Sequence, residues 1–193
     1  DTVVISGAGD DVAAIAARLA AAGMRTQALT VSHAFHSPLM APMIEAFGRV
    51  AADVVHAAPT LTWISTLTGD VLDWNQWQSR MNEYWTTHAR QPVLYGRAVE
   101  TAAALACDVF VEVGPHPTLI ALARTCLGDE GEAKTWVPSL RRNRPGWRQM
   151  IEGAAQLYAR GFRPDWAAIG GPDRRASLAL PTYPFQRQRY LVP

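Results

Sequence analysis

His33 and His36, in the stretch VSHAFHSPLMAPM at residues 31–43, have the types and spacing to do proton chemistry near neutral pH. Ser37 and Pro38 follow them directly. A serine hydroxyl can accept one of the orphan amide protons of a helix start, and proline suits the first helical position, where no donor is needed. His36 is therefore expected just outside a helix N-terminus. The positive end of the helix dipole there disfavours an imidazolium and leaves a neutral ring that can accept a proton, as a general base must. Two other readings stand beside this one. A histidine next to a cap can simply hydrogen-bond the corner, and His33 with His36 makes an H-x-x-H pair that could ligate a metal. Against metal, residues three apart on a strand face opposite sides, and no third ligand lies nearby in sequence.

The elements that must position these residues alternate strand and helix. Val3-Val4-Ile5 has a buried-strand pattern, and Ser6 to Gly9 reads as a turn. Asp10 or Asp11 can cap a helix with Val12, Ile15, Leu19 and Ala22 at helical spacing, and Gly23 falls at its C′ position. Arg25 to Val31 is then a strand leading to the histidines. The helix after Pro38 carries Met40, Met43, Phe47 and Val50 on one face, with Leu39 and Ile44 broadening it, a stripe that reads as core. Leu61 to Leu67 reads as another strand, with Thr68-Gly69-Asp70 as its turn. This first stretch suits an α+β layer in which helices cover one face of an antiparallel sheet.

Further along, Trp74, Trp77, Tyr84 and Trp85 form an aromatic cluster, read as packing where layers meet in preference to a partner surface. Gln91-Pro92 opens a helix that runs to Ala106, with Val99, Ala102, Ala103 and Ala106 on one side. Asp108 to Val113 is an apolar strand of the buried parallel type, interrupted by Glu112, and residues 114–118 turn it into a helix from Leu119 to Leu127. His116 lies near the carboxyl end of that strand, where open α/β sheets place their sites, although a turn residue ordering a helix start accounts for it as well. Gly128 to Lys134 reads as a charged surface loop, Trp136 to Leu140 as extended, and Arg141 to Arg144 as solvated charge. Trp147 to Arg160 reads as a helix with Met150, Ile151, Ala154, Leu157 and Tyr158 inward. Gly170 to Ser177 is a linker by composition. The apolar, proline-punctuated end around Tyr183-Pro184-Phe185 and Tyr190-Leu191 is not that of a free tail.

With 193 residues, 49% of them hydrophobic, the chain can bury one sizeable core or two small ones. A net charge of +1 gives no electrostatic case for nucleic acid or an anionic membrane surface. Cys107 and Cys126 make neither a C-x-x-C motif nor a disulfide framework, and read as reduced, core-side residues of a cytoplasmic protein. No run of about 18 apolar residues occurs, nor the charged and apolar regions of a secretory signal. The abrupt opening on Val3-Val4-Ile5 reads as a longer polypeptide cut just before a strand.

The segment VSHAFHSPLM resembles the HAFH signature of the acyltransferase domains of modular type I polyketide synthases, which load extender units onto acyl carrier protein. Three further stretches agree in order and spacing: Tyr84-Trp85 followed by His88-Ala89-Arg90-Gln91-Pro92-Val93, then Val111 to Pro117 (VEVGPHP), then Leu180 to Tyr190 (LPTYPFQRQRY). The resemblance covers essentially the whole chain. It implies an α/β fold in three parts. Residues 1–72 would be a partial ferredoxin-like α+β subdomain whose first strand lies upstream of Asp1. Residues 73–140 would be the C-terminal part of an α/β-hydrolase-like acyltransferase body, and residues 141–193 an extended post-acyltransferase linker that packs back toward the ketosynthase.

The chemistry implied by the resemblance is a two-step acyl transfer. A serine attacks the thioester of an acyl-CoA, CoA leaves, and the phosphopantetheine thiol of acyl carrier protein attacks the acyl-serine. Each step needs a base that removes a proton and then returns one to the leaving group. By the match, His36 is that base, and His88 occupies the position whose backbone carbonyl accepts the proton-bearing nitrogen of the catalytic ring, as a carboxylate does in a full triad. His33, Ala34 and Phe35 resemble the extender-selecting motif. HAFH accompanies malonyl units and YASH methylmalonyl units, and the ring of Phe35 can occupy the room an α-methyl would need, a discrimination of about 1–3 kcal/mol.

The resemblance implies no metal and no directly bound cofactor beyond the acyl-CoA substrate and the carrier's phosphopantetheine. The expected partners are malonyl-CoA, acyl carrier protein, the ketosynthase of the same polypeptide and the N-terminal half of the acyltransferase. No G-x-S-x-G occurs in the chain, and Ser37 lacks the flanking glycines of a nucleophile elbow. The serine, the carboxylate-binding arginine and the glutamine-bearing loop are therefore expected upstream, and this chain alone is not expected to turn over. A noncatalytic acyltransferase remnant acting as a docking or scaffold module remains open. So does an unrelated small-molecule binding module, which would leave the four ordered motifs unexplained.

Overall fold

The computed structural model describes residues 2–169 and 179–191. The first helix, α1 (Gly9–Ala21), places Asp10 and Asp11 in its first turn, where carboxylates favour the helix dipole, but neither caps it: Ala8 precedes the helix with no side-chain cap. Gly23, at φ +82°, takes the left-handed C′ position expected of it.

The strands expected at residues 3–5 and 25–31 do not form. Both segments lack a ladder partner among the described residues, and Val3, Val4, Ile5, Leu29 and Val31 are exposed. A strand is held by its neighbour's backbone groups, so β-branched composition alone does not make one. At residues 61–67 the expected strand reduces to a single antiparallel bridge, Ile64 to Val71, closed by a turn through Gly69 at φ +78°.

Helices carry the next part. A 3-10 turn (Pro38–Met40) leads into α2 (Ala41–Ala52), and Met40 is buried while Leu39 and Val50 are exposed, so the methionine stripe is core at one end only. Asp73 caps the short α3 (Trp74–Trp77) by accepting from the N–H groups of Asn75 and Gln76. Helix α4 (Met81–Arg90) packs against α2, and Gly48 allows the approach, because a Cβ there would lie 3.4 Å from Thr86 Cγ2. Leu72, Met81 and Tyr84 form the buried centre, with Trp63, Leu67, Trp74, Trp77 and Trp85 around it, so the aromatic cluster is packing as expected.

The helix expected from Gln91-Pro92 begins later, as α5 (Tyr95–Ala104), because residues 91–94 are extended and the Leu94 N–H donates to the Thr66 carbonyl at 2.7 Å. Strand β1 (Val109–Glu112) pairs in parallel with β2 (Thr135–Pro138) in the register Val109 to Thr135. Between them run α6 (Thr118–Leu127) and α7 (Asp129–Ala133), so the expected surface loop at 128–134 contains a short helix. Its interior is tight: Gly131 is buried, the Trp136 indole donates to its carbonyl at 2.9 Å, and Lys134 pairs with Asp108 and Glu130. The parallel pairing matches expectation, but Val111 is 49% exposed and one face of the strand is open.

Glu112 interrupts the apolar strand for a reason that spacing hides. Its Oε1 accepts the N–H groups of Thr118 and Leu119, each at 3.1 Å, and its Oε2 accepts that of Ile120 at 2.8 Å, so a strand residue caps the following helix. In α8 (Gly146–Ala159) the buried positions are Gln149 and Gly153, whereas Met150 and Ile151, expected inward, are partly exposed. A Cβ at Gly153 would stand 3.1 Å from Val137, and Gln149 donates to the Pro138 carbonyl at 3.4 Å. Cys107 and Cys126 are free and exposed, not core-side. Cys107 follows the turn after α5, and Cys126 lies on α6 with its sulfur beside Gly96 of α5.

The chain divides into two units, Asp1–Gly153 and Ala154–Pro193. The second holds the end of α8 and α9 (Trp166–Ile169), where Tyr158 and Trp166 meet edge-on at 5.6 Å, and an extended run at 179–191 in which Tyr183 and Phe185 meet at 5.3 Å. The linker assigned to Gly170–Ser177 lies outside the described residues.

Candidate functional site

The last turn of α4 leaves carbonyl oxygens with no partner inside the helix. His36 takes them up. Its backbone N–H donates to the Ala89 carbonyl at 3.1 Å, and its ring Nδ1 lies 2.9 Å from the carbonyl oxygen of His88 and 3.0 Å from that of Gln91. Carbonyl oxygens only accept, so Nδ1 carries the proton. In the neutral ring Nε2 then keeps its lone pair.

This setting differs from the one expected at a helix N-terminus. The turn after Ser37 is a three-residue 3-10 turn, and it is Met40 that precedes α2. The ring stands instead at the carbonyl end of α4, where the dipole is negative and favours a positive charge developing on the ring during proton transfer. Fixing the tautomer, not the repulsion of an N-terminal dipole, is what equips Nε2 as an acceptor.

His36 holds φ +59°, a left-handed conformation that costs a non-glycine residue about 1–3 kcal/mol. The surroundings over-determine it. The Phe35 N–H bonds the His33 carbonyl at 2.9 Å, and the buried Ser37 donates its hydroxyl to the Ala34 carbonyl at 2.6 Å while accepting the Leu39 N–H at 3.3 Å. With both functions of its hydroxyl engaged, Ser37 is a cap, as its flanking residues foretell.

His33, Ala34 and Phe35 lie on the same tight loop. The rings of His33 and Phe35 are exposed and meet edge-on at 5.9 Å, Ala34 is half-buried, and His33 Nδ1 lies 3.0 Å from Ser32 Oγ. Among the described residues no group of three or more His, Cys, Asp or Glu side chains is arranged to hold a metal ion. His116 is exposed and its carbonyl takes the Thr118 N–H, which makes it a turn residue at the start of α6.

His88 meets His36 through its carbonyl and stands perpendicular to it ring to ring, at 5.7 Å and 89°. Its own ring lies parallel to that of Tyr84 at 6.0 Å, and its Nε2 is 2.8 Å from Thr66 Oγ1. Burial, and then the nearby His36, hold the His88 pKa below the usual histidine value. Beneath this pair, the Tyr84 hydroxyl bonds the fully buried Ser65 Oγ at 2.7 Å, and burial raises the Tyr84 pKa against the opposing effect of that bond.

Ser65, Thr66 and the Gln91 carbonyl escaped the sequence reading. Thr68-Gly69-Asp70 marked a turn, but nothing in the sequence tied that turn to the end of α4.

The fold is a mixed helix and strand one, with its histidine-bearing loop docked on a helix end. The acyl transferase domain family matches residues 1–164, and the chain belongs to it. It is 44% identical over 189 residues to polyketide synthase GfsA of Streptomyces halstedii, covering 98% of this chain and 2% of that synthase, and 41% identical over 189 residues to the mycoketide-CoA synthase of Mycobacterium tuberculosis, covering 98% and 4%. The crystal structure of the acyltransferase domain from the second module of the salinomycin polyketide synthase superposes with a TM-score of 0.77 at 39% identity, over 93% of this chain and 41% of that one. A malonyl CoA-acyl carrier protein transacylase from Clostridium perfringens shares the fold, with a TM-score of 0.65 at 17% identity over 78% of this chain and 44% of that one. The chain thus spans a small fraction of its curated relatives and under half of the solved domains. Among the described residues no helix is long and apolar enough to cross a membrane.

Proposed function

We propose that this chain is the part of a malonyl-CoA:acyl carrier protein acyltransferase that supplies the general base, with His36 in that role. The observation that carries the reading is the pair of carbonyls, from His88 and Gln91, on Nδ1 of His36. They fix the tautomer that leaves Nε2 free to accept a proton from an attacking hydroxyl or thiol and to return it to the leaving thiolate. A serine outside this chain is the nucleophile. It attacks the malonyl thioester, CoA departs protonated, and the phosphopantetheine thiol of acyl carrier protein then displaces the serine.

His88 contributes its main-chain carbonyl. His33, Ala34 and Phe35 face the acyl group, and the bulk of Phe35 favours malonyl over an α-substituted unit. Residues 1–72 belong to a small subdomain, 73–140 to the acyltransferase body and 141–193 to a linker toward the ketosynthase. Mass spectrometry of the purified polypeptide that contains this chain, before and after malonyl-CoA, tests the reading. A malonyl adduct that His36→Ala abolishes supports it. Absence of any adduct in the wild type overturns it in favour of a noncatalytic docking module.

A further inference from the structure

We propose that Thr66 is a positioning residue for His36, acting through the ring of His88. This inference rests on the reading of His36 as the base. His36 touches no side chain through Nδ1; the two atoms that orient it are the carbonyl oxygens of His88 and Gln91. Those atoms sit on the end of α4 and on the extended segment after it, and the aim of the base is only as good as the placement of that stretch. Thr66 ties the stretch at both ends. Its Oγ1 lies 2.8 Å from Nε2 of His88, and its carbonyl accepts the Leu94 N–H at 2.7 Å. Gln91 lies between the two ties.

Thr66 can serve as a post because its own turn is pinned. The Ser65 N–H donates to the Asp70 carbonyl at 2.8 Å, the Gly69 N–H to the Ser65 carbonyl at 2.7 Å, and the fully buried Ser65 Oγ bonds both the Tyr84 hydroxyl and the Leu67 N–H. Tyr84 in turn lies flat against the His88 ring. The ring thus lies among Tyr84, Trp85 and His36, and the Thr66 hydroxyl supplies the hydrogen bond that anchors its Nε2. A threonine hydroxyl both donates and accepts, so it satisfies Nε2 in either neutral tautomer. Without it the ring, and with it the carbonyl of the same residue, gains freedom one bond away from the base. Displacements of that kind are read in rate, because a misplacement near 1 Å can cost about 100-fold.

The test compares Thr66→Val, which keeps shape and removes the hydroxyl, with Thr66→Ser, which restores it, in the complete acyltransferase that contains this chain. Thr66→Val is expected to slow acyl-serine formation at saturating malonyl-CoA by about 10-fold with KM within about twofold of wild type, and Thr66→Ser to recover the rate. In a His88→Ala background, Thr66→Val should cost nothing further. If Thr66→Val melts early, Thr66→Ala, which cannot overpack, carries the same comparison. A wild-type rate in the hydroxyl-free variants, a Thr66→Ser protein as slow as Thr66→Val, or an undiminished Thr66→Val effect on His88→Ala overturns the proposal. His36→Ala separates the two readings. If it retains full activity the base assignment itself fails, whereas an inactive His36→Ala beside a fully active Thr66→Val sinks only the role of Thr66.

Discussion

Nδ1 of His36 lies 2.9 Å from the carbonyl oxygen of His88, a residue 52 positions further along the chain. The orienting group of the proposed base is thus a neutral main-chain dipole. A second carbonyl, that of Gln91, stands at 3.0 Å. Two acceptors on one nitrogen fix the tautomer without adding a formal charge beside the ring, and they come from a helix end that must in any case find donors for its last carbonyls. Capping the end of α4 and orienting the His36 ring are one and the same set of hydrogen bonds.

It follows that His36→Gln and His36→Ala separate folding from chemistry. The glutamine amide can still donate to the α4 carbonyls but cannot take up a proton, so both variants should lose about 100- to 10,000-fold in acyl-serine formation, the usual contribution of a positioned general base. Thermal unfolding should distinguish them, with His36→Gln the more stable. A His36→Gln enzyme near wild-type rate would contradict the base role.

His88 gives a pH signature. Its pKa is lowered in the folded chain by burial and by His36, so the folded state binds its proton less readily than the unfolded state, where histidine titrates near pH 6.5. Stability is then full above about pH 6.5 and is lost as the pH falls through that value toward the lower folded one, because the unfolded state binds more protons there. Urea unfolding between pH 7.5 and pH 5 should show this loss, and His88→Asn, which does not titrate, should flatten it. A slope unchanged in His88→Asn would assign the effect elsewhere.

Much of this organisation was legible in the sequence where a residue's local neighbours decide its fate. Ser37 caps the turn beside Pro38, Gly23 ends α1, the tryptophans pack around Tyr84, and the strand at 109–112 pairs in parallel. What was not legible depends on contacts distant in sequence. Val3 to Ile5 has strand composition but no ladder partner among the described residues, and Glu112 reads as an interruption although its carboxylate accepts the amides of α6. The resemblance put the His88 carbonyl on the His36 ring, and that contact is present, but the electrostatic setting was the wrong one, since no spacing rule shows that this carbonyl ends a helix. Thr66 was invisible for the same cause.

The Ser65–Tyr84 pair should show coupled energetics. Ser65 is fully buried and Tyr84 nearly so, with their hydroxyls 2.7 Å apart. Ser65→Ala strands the tyrosine hydroxyl and the Leu67 N–H, and should destabilise by about 1–3 kcal/mol. Adding Tyr84→Phe removes one of those unpaired groups, so the double variant should be less destabilised than the sum of the two singles. Strict additivity in urea unfolding would show that the hydroxyls do not depend on one another.

Glu112 should behave as the cap of α6 despite lying in β1. Glu112→Ala frees three amides at once and is expected to cost about 1–2 kcal/mol, the upper part of the range for a helix cap. Glu112→Gln keeps one accepting oxygen and should fall between alanine and wild type. Hydrogen exchange at the Thr118, Leu119 and Ile120 amides is the local readout, and unchanged protection there in Glu112→Ala would refute the capping role.

Phe35 carries the prediction about the substrate. Its ring is about half exposed on the loop that bears His36, and it meets His33 edge-on at 5.9 Å. If that ring fills the space an α-methyl would need, Phe35→Ser should lower the ratio of kcat/KM for malonyl-CoA over methylmalonyl-CoA by about 10-fold, within the 1–3 kcal/mol that one methyl is worth in a pocket. His36 is untouched, so the loss should come from better use of methylmalonyl-CoA more than from slower malonyl transfer. His33→Ala removes the edge contact that orients Phe35 and should shift the ratio the same way by a smaller factor. Since His33 acts on selectivity through Phe35, adding His33→Ala to Phe35→Ser should change the ratio little. Competition between the two thioesters, read by the mass of the acyl-serine adduct in the complete acyltransferase, decides the matter. A ratio unmoved by Phe35→Ser would show that the ring does not contact the α-carbon substituent, and a large further shift on adding His33→Ala would give His33 a contact of its own with the acyl group.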